Sequence, residues 1–464
     1  MLSVYRSGYV MKSSLSTTIF MASIAGLAGL LFGYDAGIIS GAMLFIKGVF
    51  HLNDVWQGAV VSAVPFGALV FALFGGKLND MFGRKIALLF TAFMFGLGTL
   101  FCAFAGSTET LIIGRLLLGF AIGIGSFSAP LYIAEISPEK YRGALVTINQ
   151  LAIVSGILLS YLVDYWFAPT AAWRWMLGLS FIPAVMLFLG AIKLPQSPRW
   201  LMTKQRVSDA QKVLDRIHGP EKAKLEMADI KTVLTEEKLT LRQSLSDSYL
   251  RIILLGVFVS ILTQAVGINA IIYYAPTIFE STGFSHGAHT LLATVSIGLV
   301  NFIFTILAIY LLDRVGRRKL LITGICGIVL SLVVLTVGFA YGIQKGPLSY
   351  IILISMMLFV ACQGFSTGPA CWLIPSEIFP LKIRGVGMGI AVAFNWGTNV
   401  IVGFLFPIVL HRWGATASFG IFLVIAVIAA LYFYFQVPET KNMSLERIEE
   451  NLLQNKPLRE LGSI

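Results

Sequence analysis

Glu135-Ile-Ser-Pro-Glu-Lys-Tyr-Arg-Gly143 and Glu377-Ile-Phe-Pro-Leu-Lys-Ile-Arg-Gly385 are one nine-residue stretch written twice, 242 positions apart. Six of the nine residues are the same in both copies. Upstream of each copy lies a second charged motif, Asp80-Met-Phe-Gly-Arg84-Lys85 in the first half and Asp313-Arg-Val-Gly-Arg317-Arg318 in the second. Two different motifs recurring in the same order imply an internal duplication.

The chain that carries this repeat has 464 residues, of which 57% are hydrophobic and 12% charged. A soluble domain carries about 25% charged residues, so the composition is that of a polytopic membrane protein. The net charge of +11 would suit nucleic acid, but the basic residues lie in loops between apolar runs, which excludes that reading. The first apolar run, about 17–46, is too long for the core of a cleaved leader. Cys102, Cys326, Cys362 and Cys371 all lie in apolar runs without a Cys-x-x-Cys spacing, so neither a metal site nor a disulfide framework is expected. The five histidines, His51, His218, His286, His289 and His411, fall in or beside loops.

Runs long enough to cross ~30 Å of hydrocarbon fall near 17–46, 55–76, 86–106, 110–134, 143–165 and 173–194. A second set falls near 251–274, 288–312, 320–343, 348–373, 386–410 and 415–437. Six is even, so the halves enter the membrane in the same sense, as parallel repeats. The expected fold is all-α, with two six-helix halves at 1–194 and 251–437, a linker at 195–250 and a tail at 438–464. With the amino terminus inside, 29 of the 34 Lys and Arg lie on the inner face and four outside (Lys47, Arg174, Lys345, Arg412). That imbalance predicts both termini in the cytoplasm of a cell inner membrane. The linker holds an amphipathic segment, Asp209–His218, with Ala210, Val213, Leu214 and Ile217 on one face. In the tail, Ser444 is placed to cap a helix striped by Leu445, Ile448 and Leu452. Both read as surface helices beneath the bundle, with protein docking as the alternative.

A charge at membrane depth asks for a reason. Asp35 in the first span and Arg115 in the fourth fall at similar depth in the outer half. They are either a permanent tie between helices or a proton carrier and its partner; no histidine is placed to share that role. Amides suited to hydroxyls on a neutral ligand are Gln150, Gln264, Asn269, Asn301, Asn395 and Asn399, with Trp372 and Trp396 offering indole faces. Helix–helix adhesion is the alternative for each amide. Gln264-Ala-Val-Gly-Ile-Asn269 and Tyr273-Tyr274-Ala-Pro276 carry glycine and proline where a gate must bend. The inner charges Asp80, Arg84, Glu135, Arg142, Asp313, Arg317, Glu377 and Arg384 read as a salt-bridge latch between the halves, or as solvated turns.

These residues resemble the sugar porter family of the major facilitator superfamily over essentially the whole chain. The marks are Gly33-Tyr-Asp-Ala-Gly37, Asp80-Met-Phe-Gly-Arg84, Arg115, Pro195-Gln-Ser-Pro-Arg-Trp200, Gln264-Ala-Val-Gly-Ile-Asn269, Cys371-Trp372, Asn395-Trp396 and Pro438-Glu-Thr-Lys441. The resemblance is greatest to bacterial galactose–proton and arabinose–proton symporters. It implies a twelve-helix fold with alternating access, sugar contacts at Gln150, Gln264, Asn269, Asn301, Trp372, Asn395 and Asn399, and proton coupling at Asp35 with Arg115. Two positions depart from the family pattern. Thr263 stands where a glutamine is usual, which bears on substrate identity, and Gln196 stands where a glutamate is usual, which weakens one cytoplasmic salt bridge. The expectation is a proton-coupled monosaccharide importer, with a uniporter, a pentose or inositol symporter, and a non-transporting sensor as alternatives. No enzyme activity, cofactor, metal or nucleic-acid partner is expected. The partners are a small sugar, protons and lipid, and the working unit is a monomer.

Overall fold

The computed structural model describes residues 2–138, 141–234, 243, 247–281, 288–342, 349–380, 382–441, 443, 445–454 and 456–462. Ser444, Lys140, Lys345 and His286 lie outside the described residues, as do the side chains of His218, His289, Asp313 and Leu445.

The first half is built from α1 (Leu2–Val49), α2 (Asp54–Phe82), α3 (Arg84–Ala103), α4 (Thr108–Ile136), α5 (Arg142–Phe167), and a broken sixth crossing, α6 (Trp173–Gly178) and α7 (Phe181–Lys193). Three short helices follow: α8 (Pro198–Thr203), α9 (Val207–His218) and α10 (Pro220–Leu234). The second half has α11 (Asp247–Ala265), α12 (Ile268–Ser281), α13 (Ala288–Val315), α14 (Arg317–Ala340), α15 (Ser349–Cys362), α16 (Gly368–Ile378) and α17 (Arg384–Gln436), and α18 (Leu445–Leu453) forms the tail. Among the described residues, eleven helical stretches are long and apolar enough to cross a membrane. The last, α17, breaks at Gly414 (φ 79°) into two crossings, which makes twelve.

Local chemistry places the ends. Asn53 accepts the Trp56 N–H at 2.9 Å and Ser107 accepts the Thr110 N–H at 3.3 Å, each capping the helix that follows. Gly83 and Gly316 adopt φ of 84° and 101° between α2 and α3 and between α13 and α14, a conformation only glycine takes without strain. Two breaks go beyond the sequence reading. The seventh crossing runs to Glu280, several residues past the expected 274, and divides at Gly267 (φ 100°) between α11 and α12. The tenth contains a π-helical stretch, Gln363–Thr367, between α15 and α16.

Within the first half α1 packs on α5, and α4 on α2 and α3; within the second, α17 packs on α11 and α14. Across the halves, α2 meets α17, α5 meets α13, and α1 meets α12. The α1–α5 contact is backbone to backbone. A β-carbon at Gly33 would lie 1.8 Å from the Ile153 carbonyl oxygen, one at Gly37 2.0 Å from Ser160 Oγ, and one at Gly156 2.2 Å from the Leu30 carbonyl oxygen. With no hydrophobic drive between helices in lipid, such small-residue faces let helices associate.

The amphipathic faces of linker and tail are both buried. Ala210 and Leu214 join Trp200, Leu201, Met202, Ala223, Met227 and Ile230 in a small core of their own. Trp200 Nε1 donates to the Asp80 carbonyl at 3.0 Å, which ties that core to the end of α2. Ile448 and Leu452 of α18 are buried against the main bundle.

Gly33→Ala should lower stability in detergent by about 1–3 kcal/mol or more, because the carbonyl in its way is backbone. Gly389→Ala should change nothing, since a β-carbon there meets no atom within 4 Å. Thermal unfolding of the two purified variants checks this, and equal melting temperatures would refute it.

Candidate functional site

The end of the bundle that carries both copies of the charged motifs, the linker and the tail is called the basic end here, and the opposite end the far end. Asp35 and Arg115 meet in the far-end half of the first six helices. Arg115 NH1 lies 3.1 Å from Asp35 Oδ1, and both side chains are almost wholly buried. Arg115 Nε also donates to the Val60 carbonyl at 2.8 Å, so one guanidinium joins α1, α2 and α4. Removing one partner of such a pair strands the other charge, typically at 3–5 kcal/mol.

The second half contributes a continuous chain of amides. Asn269 Nδ2 donates to Gln264 Oε1 at 2.6 Å, Gln264 Nε2 donates to Asn395 Oδ1 at 3.2 Å, and Asn395 Nδ2 donates to the Ser260 carbonyl at 3.2 Å. One turn further along α17, Asn399 accepts the Tyr273 hydroxyl at 3.2 Å. The break at Gly267 is what lets Gln264 and Asn269, five residues apart, face each other. No hydrogen bond joins Gln150, Asn301 or Trp372 to this chain among the described residues. Asn301 lies beside the π-helical stretch, its Oδ1 3.4 Å from where a Gly364 β-carbon would be. Trp396 is buried with its ring centroid 5.5 Å from that of Phe32 on α1, and its indole N–H has no partner. Thr263 is different from the rest. Its hydroxyl donates within its own helix, to the Val259 and Ser260 carbonyls at 2.9 and 3.1 Å, so its one proton is committed to backbone.

The two halves touch toward the far end. Tyr161 donates to the Ile272 carbonyl at 3.0 Å, and a Gly298 β-carbon would meet its ring at 2.7 Å. The Phe404 carbonyl fills the space beside Gly58, and Val61 packs by Gly403. Tyr274, which donates to the Gly403 carbonyl at 2.8 Å, is buried in the same layer as Tyr273. Lys47–Glu280 at 3.6 Å and His411–Asp54 at 3.7 Å cross the rim. Partly exposed pairs of this kind contribute about 0–1 kcal/mol, so close backbone packing holds the closure. At the basic end, β-carbons at Gly76, Gly143, Gly385 and Gly389 would meet nothing within 4 Å.

Residues 21–452 match the family model for sugar (and other) transporters. The chain belongs to this family. It is 40% identical to the galactose-proton symporter of Escherichia coli (strain K12), over 97% of this chain and 98% of that protein. The glucose transporter GlcP of Staphylococcus epidermidis is 38% identical over 92% and 96% of the two chains. Among solved structures, the inward-open xylose transporter XylE from E. coli superposes with a TM-score of 0.81 at 32% identity, covering 95% of this chain and 99% of that one.

In this member of the sugar transporter family the duplicated charges pair within each half. Arg84 NH2 donates to Glu135 Oε1 at 2.9 Å and Arg84 NH1 to the Asn79 carbonyl at 3.2 Å. In the second half Arg317 Nε donates to Glu377 Oε1 at 3.2 Å and NH1 to the Leu312 carbonyl at 3.0 Å, the same two contacts. Asp80 is largely exposed, 3.6 Å from Arg84. Arg384 Nε donates to the Phe379 carbonyl at 3.3 Å, while Arg142 Nε has no partner among the described residues. No ion pair joins the halves at this end among the described residues.

The repeat extends to a pair of positions that the motifs alone do not connect. Gln196 Oε1 accepts the Lys85 N–H at 3.3 Å, and Glu439 accepts the Arg317 and Arg318 N–H groups at 3.0 and 3.2 Å. Both cap the helix after the Gly-Arg turn. Gln196 also donates to the Phe82 carbonyl at 3.1 Å, a bond a glutamate cannot make. The usual glutamate is therefore replaced by a group that keeps the cap without the charge.

Two polar residues escaped the sequence reading. Gln363, in the π-helical stretch, accepts a hydrogen bond from Thr367; its position beside Gly364 was the available signal. Asp164, near the far end of α5, is buried with Oδ2 accepting the Gly41 N–H at 3.0 Å. Asp35 is thus not the lone carboxylate inside the bundle. The span ending near 165 had put Asp164 at a loop edge.

Gln264→Ala should weaken every accepted sugar by about 0.5–1.5 kcal/mol, up to about tenfold in Kd. Thr263→Val should leave affinities within about 0.5 kcal/mol, because the lost hydroxyl serves only backbone. Competition by a panel of monosaccharides checks both, and a Thr263→Val variant with an altered rank order would put Thr263 at the sugar.

Proposed function

We propose that the chain is a proton-coupled importer of a monosaccharide, a hexose such as galactose or glucose, working by alternating access as a monomer in the cell inner membrane. The observation that carries this reading is the Asp35–Arg115 pair, buried in an apolar bundle beside hydrogen-bonding amides. A carboxylate at that depth is tolerated while Arg115 faces it. A proton arriving from outside converts it to a neutral group and frees the guanidinium, which gives the pair two states for one conformational cycle. The sugar is bound by Gln264, Asn269, Asn395 and Asn399 from the second half and by Gln150, Asn301 and Trp372 around them, with the partnerless Trp396 N–H as a further donor. The galactose-proton symporter and glucose transporter relatives support the substrate class.

Asp35→Asn should abolish accumulation driven by a pH gradient in proteoliposomes while counterflow exchange of sugar survives. Accumulation that persists in this variant would leave the pair as a permanent helix tie and put proton coupling on another group.

The basic end faces the cytoplasm in this proposal, on the 29-to-4 division of Lys and Arg, and the conformation is inward-facing. The charges at that end hold each half together here and meet across the gap, with Arg142 and Arg384 engaged, when the inner side closes. Gly143→Cys should react with an impermeant thiol reagent in inverted vesicles and not in intact cells. Adding Arg384→Ala should quicken that reaction and slow transport. Labelling from outside intact cells reverses the orientation; an unchanged rate with normal transport removes the latch.

A further inference from the structure

Asp164 is one of three buried carboxylates among the described residues, with Asp35 and Glu135, and neither the coupling scheme nor the inner ion pairs above use it. It lies one turn from the far end of α5, 1% exposed. Gly41 on α1 is close enough that a β-carbon there would sit 2.3 Å from Asp164 Cγ. Oδ2 accepts the Gly41 N–H at 3.0 Å, while the buried Oδ1 has no partner.

No cation or donor pairs with Oδ1 among the described residues, and the nearest membrane-depth cations have partners of their own. Arg115 is taken by Asp35 and the Val60 carbonyl, Lys47 faces Glu280, and Arg174 donates to the Ala105 carbonyl. Tyr34 and Tyr161 are the titratable side chains electrostatically coupled to Asp164. Their hydroxyls donate instead to the Met176 and Ile272 carbonyls, and Ser160 donates to the Ile157 carbonyl. An ionised carboxylate in such a place costs several kcal/mol, whereas a carboxylic acid needs one acceptor bond and one proton.

Three residues before Asp164, on the same face of α5, Tyr161 bonds to α12 and packs on Gly298 of α13, within the far-end closure. When the halves part there, α12 and α13 withdraw from the stretch of α5 that carries Tyr161, one turn from Asp164. We propose that Asp164 is a second proton-exchanging carboxyl, holding a proton on Oδ1 while the outer closure covers it and releasing that proton to external water when the closure opens. The proton returns to the side it left, so the exchange moves no net charge across the membrane. It makes outward opening pH-dependent, and acid outside favours the closing step of import. Raising the pH favours the conformation that binds fewer protons, which is the open one.

The test reads closure directly. Val61 is fully buried between α2 and α17, beside Gly403. In intact cells, Val61→Cys reacts with an impermeant thiol reagent only when the outer side opens, measured over the background of the native cysteines. In an Asp35→Asn background, which removes the carboxylate of the coupling pair, the rate should rise with external pH between about 5.5 and 8, by up to about tenfold per unit for one exchanged proton. Adding Asp164→Asn should abolish the rise. Asp164→Glu, which keeps a titrating group, should retain it at a displaced pH and serves if the asparagine variant does not fold. Rates that do not vary with pH in the Asp35→Asn background, or a rise that persists in Asp35→Asn/Asp164→Asn, would overturn the proposal. The inference rests on the orientation proposed above. If that fails, Val61→Cys is labelled from the cytoplasmic side, a result distinct from outside labelling without pH dependence.

Discussion

The approach of α1 to α5 is the contact on which the site depends. In a membrane there is no hydrophobic gain in bringing two apolar helices together, so association needs contact at backbone range. Gly33, Gly37 and Gly41 supply it, four residues apart on one face of α1, with Ile153, Ser160 and Asp164 of α5 in the space their side chains would occupy. This contact sets the rotation of α1. Asp35 is thereby turned toward Arg115 on α4, and the backbone of Gly41 toward the second buried carboxyl. A side chain at any of the three glycines would push the helices apart and move both acids.

The far-end closure follows the same physics with different residues. Tyrosine hydroxyls bond to backbone carbonyls, Tyr161 to Ile272 across the halves and Tyr274 to Gly403 within the second half beside it. Each such bond ends on a carbonyl whose helix is broken or loosened nearby, at Gly267, at Tyr274 with its φ of −126°, or before Pro407. The closure rests mainly on neutral bonds and packed glycines, with two partly exposed ion pairs at its rim, and it separates without stranding a buried charge. The basic end works oppositely. Its charges are paired inside each half, which leaves each six-helix unit stiff as the units rock.

The two halves have kept the repeat's geometry and divided its chemistry. The Gly-Arg turn, the glutamate that grips the arginine, and the acceptor that caps the next helix recur in both. The buried acids are all in the first half, and the hydrogen-bonded amide chain is in the second. The buried ion pair on one side and the amide chain on the other are joined through the contacts between α1 and α12 and between α5 and α13.

Charge patterning and apolar run length determined the duplication, the twelve crossings, the Asp35–Arg115 pair and the amides of α11 and α17, because motif spacing and helix periodicity fix depth and face. They also singled out Tyr273 and Tyr274, which the fold buries. Other features came only with tertiary structure, because they depend on what a neighbouring helix presents. Thr263 is an open hydroxyl in the sequence and a committed one in the fold, since its own preceding turn offers two carbonyls. The partners of Arg84 and Arg317 lie in their own halves, which no pattern of charges along the chain can specify. Asp164 falls at the end of an expected span and carries no sign of a role until Gly41 is seen to come within hydrogen-bond distance of it, and burial by a second helix is a property no single segment carries.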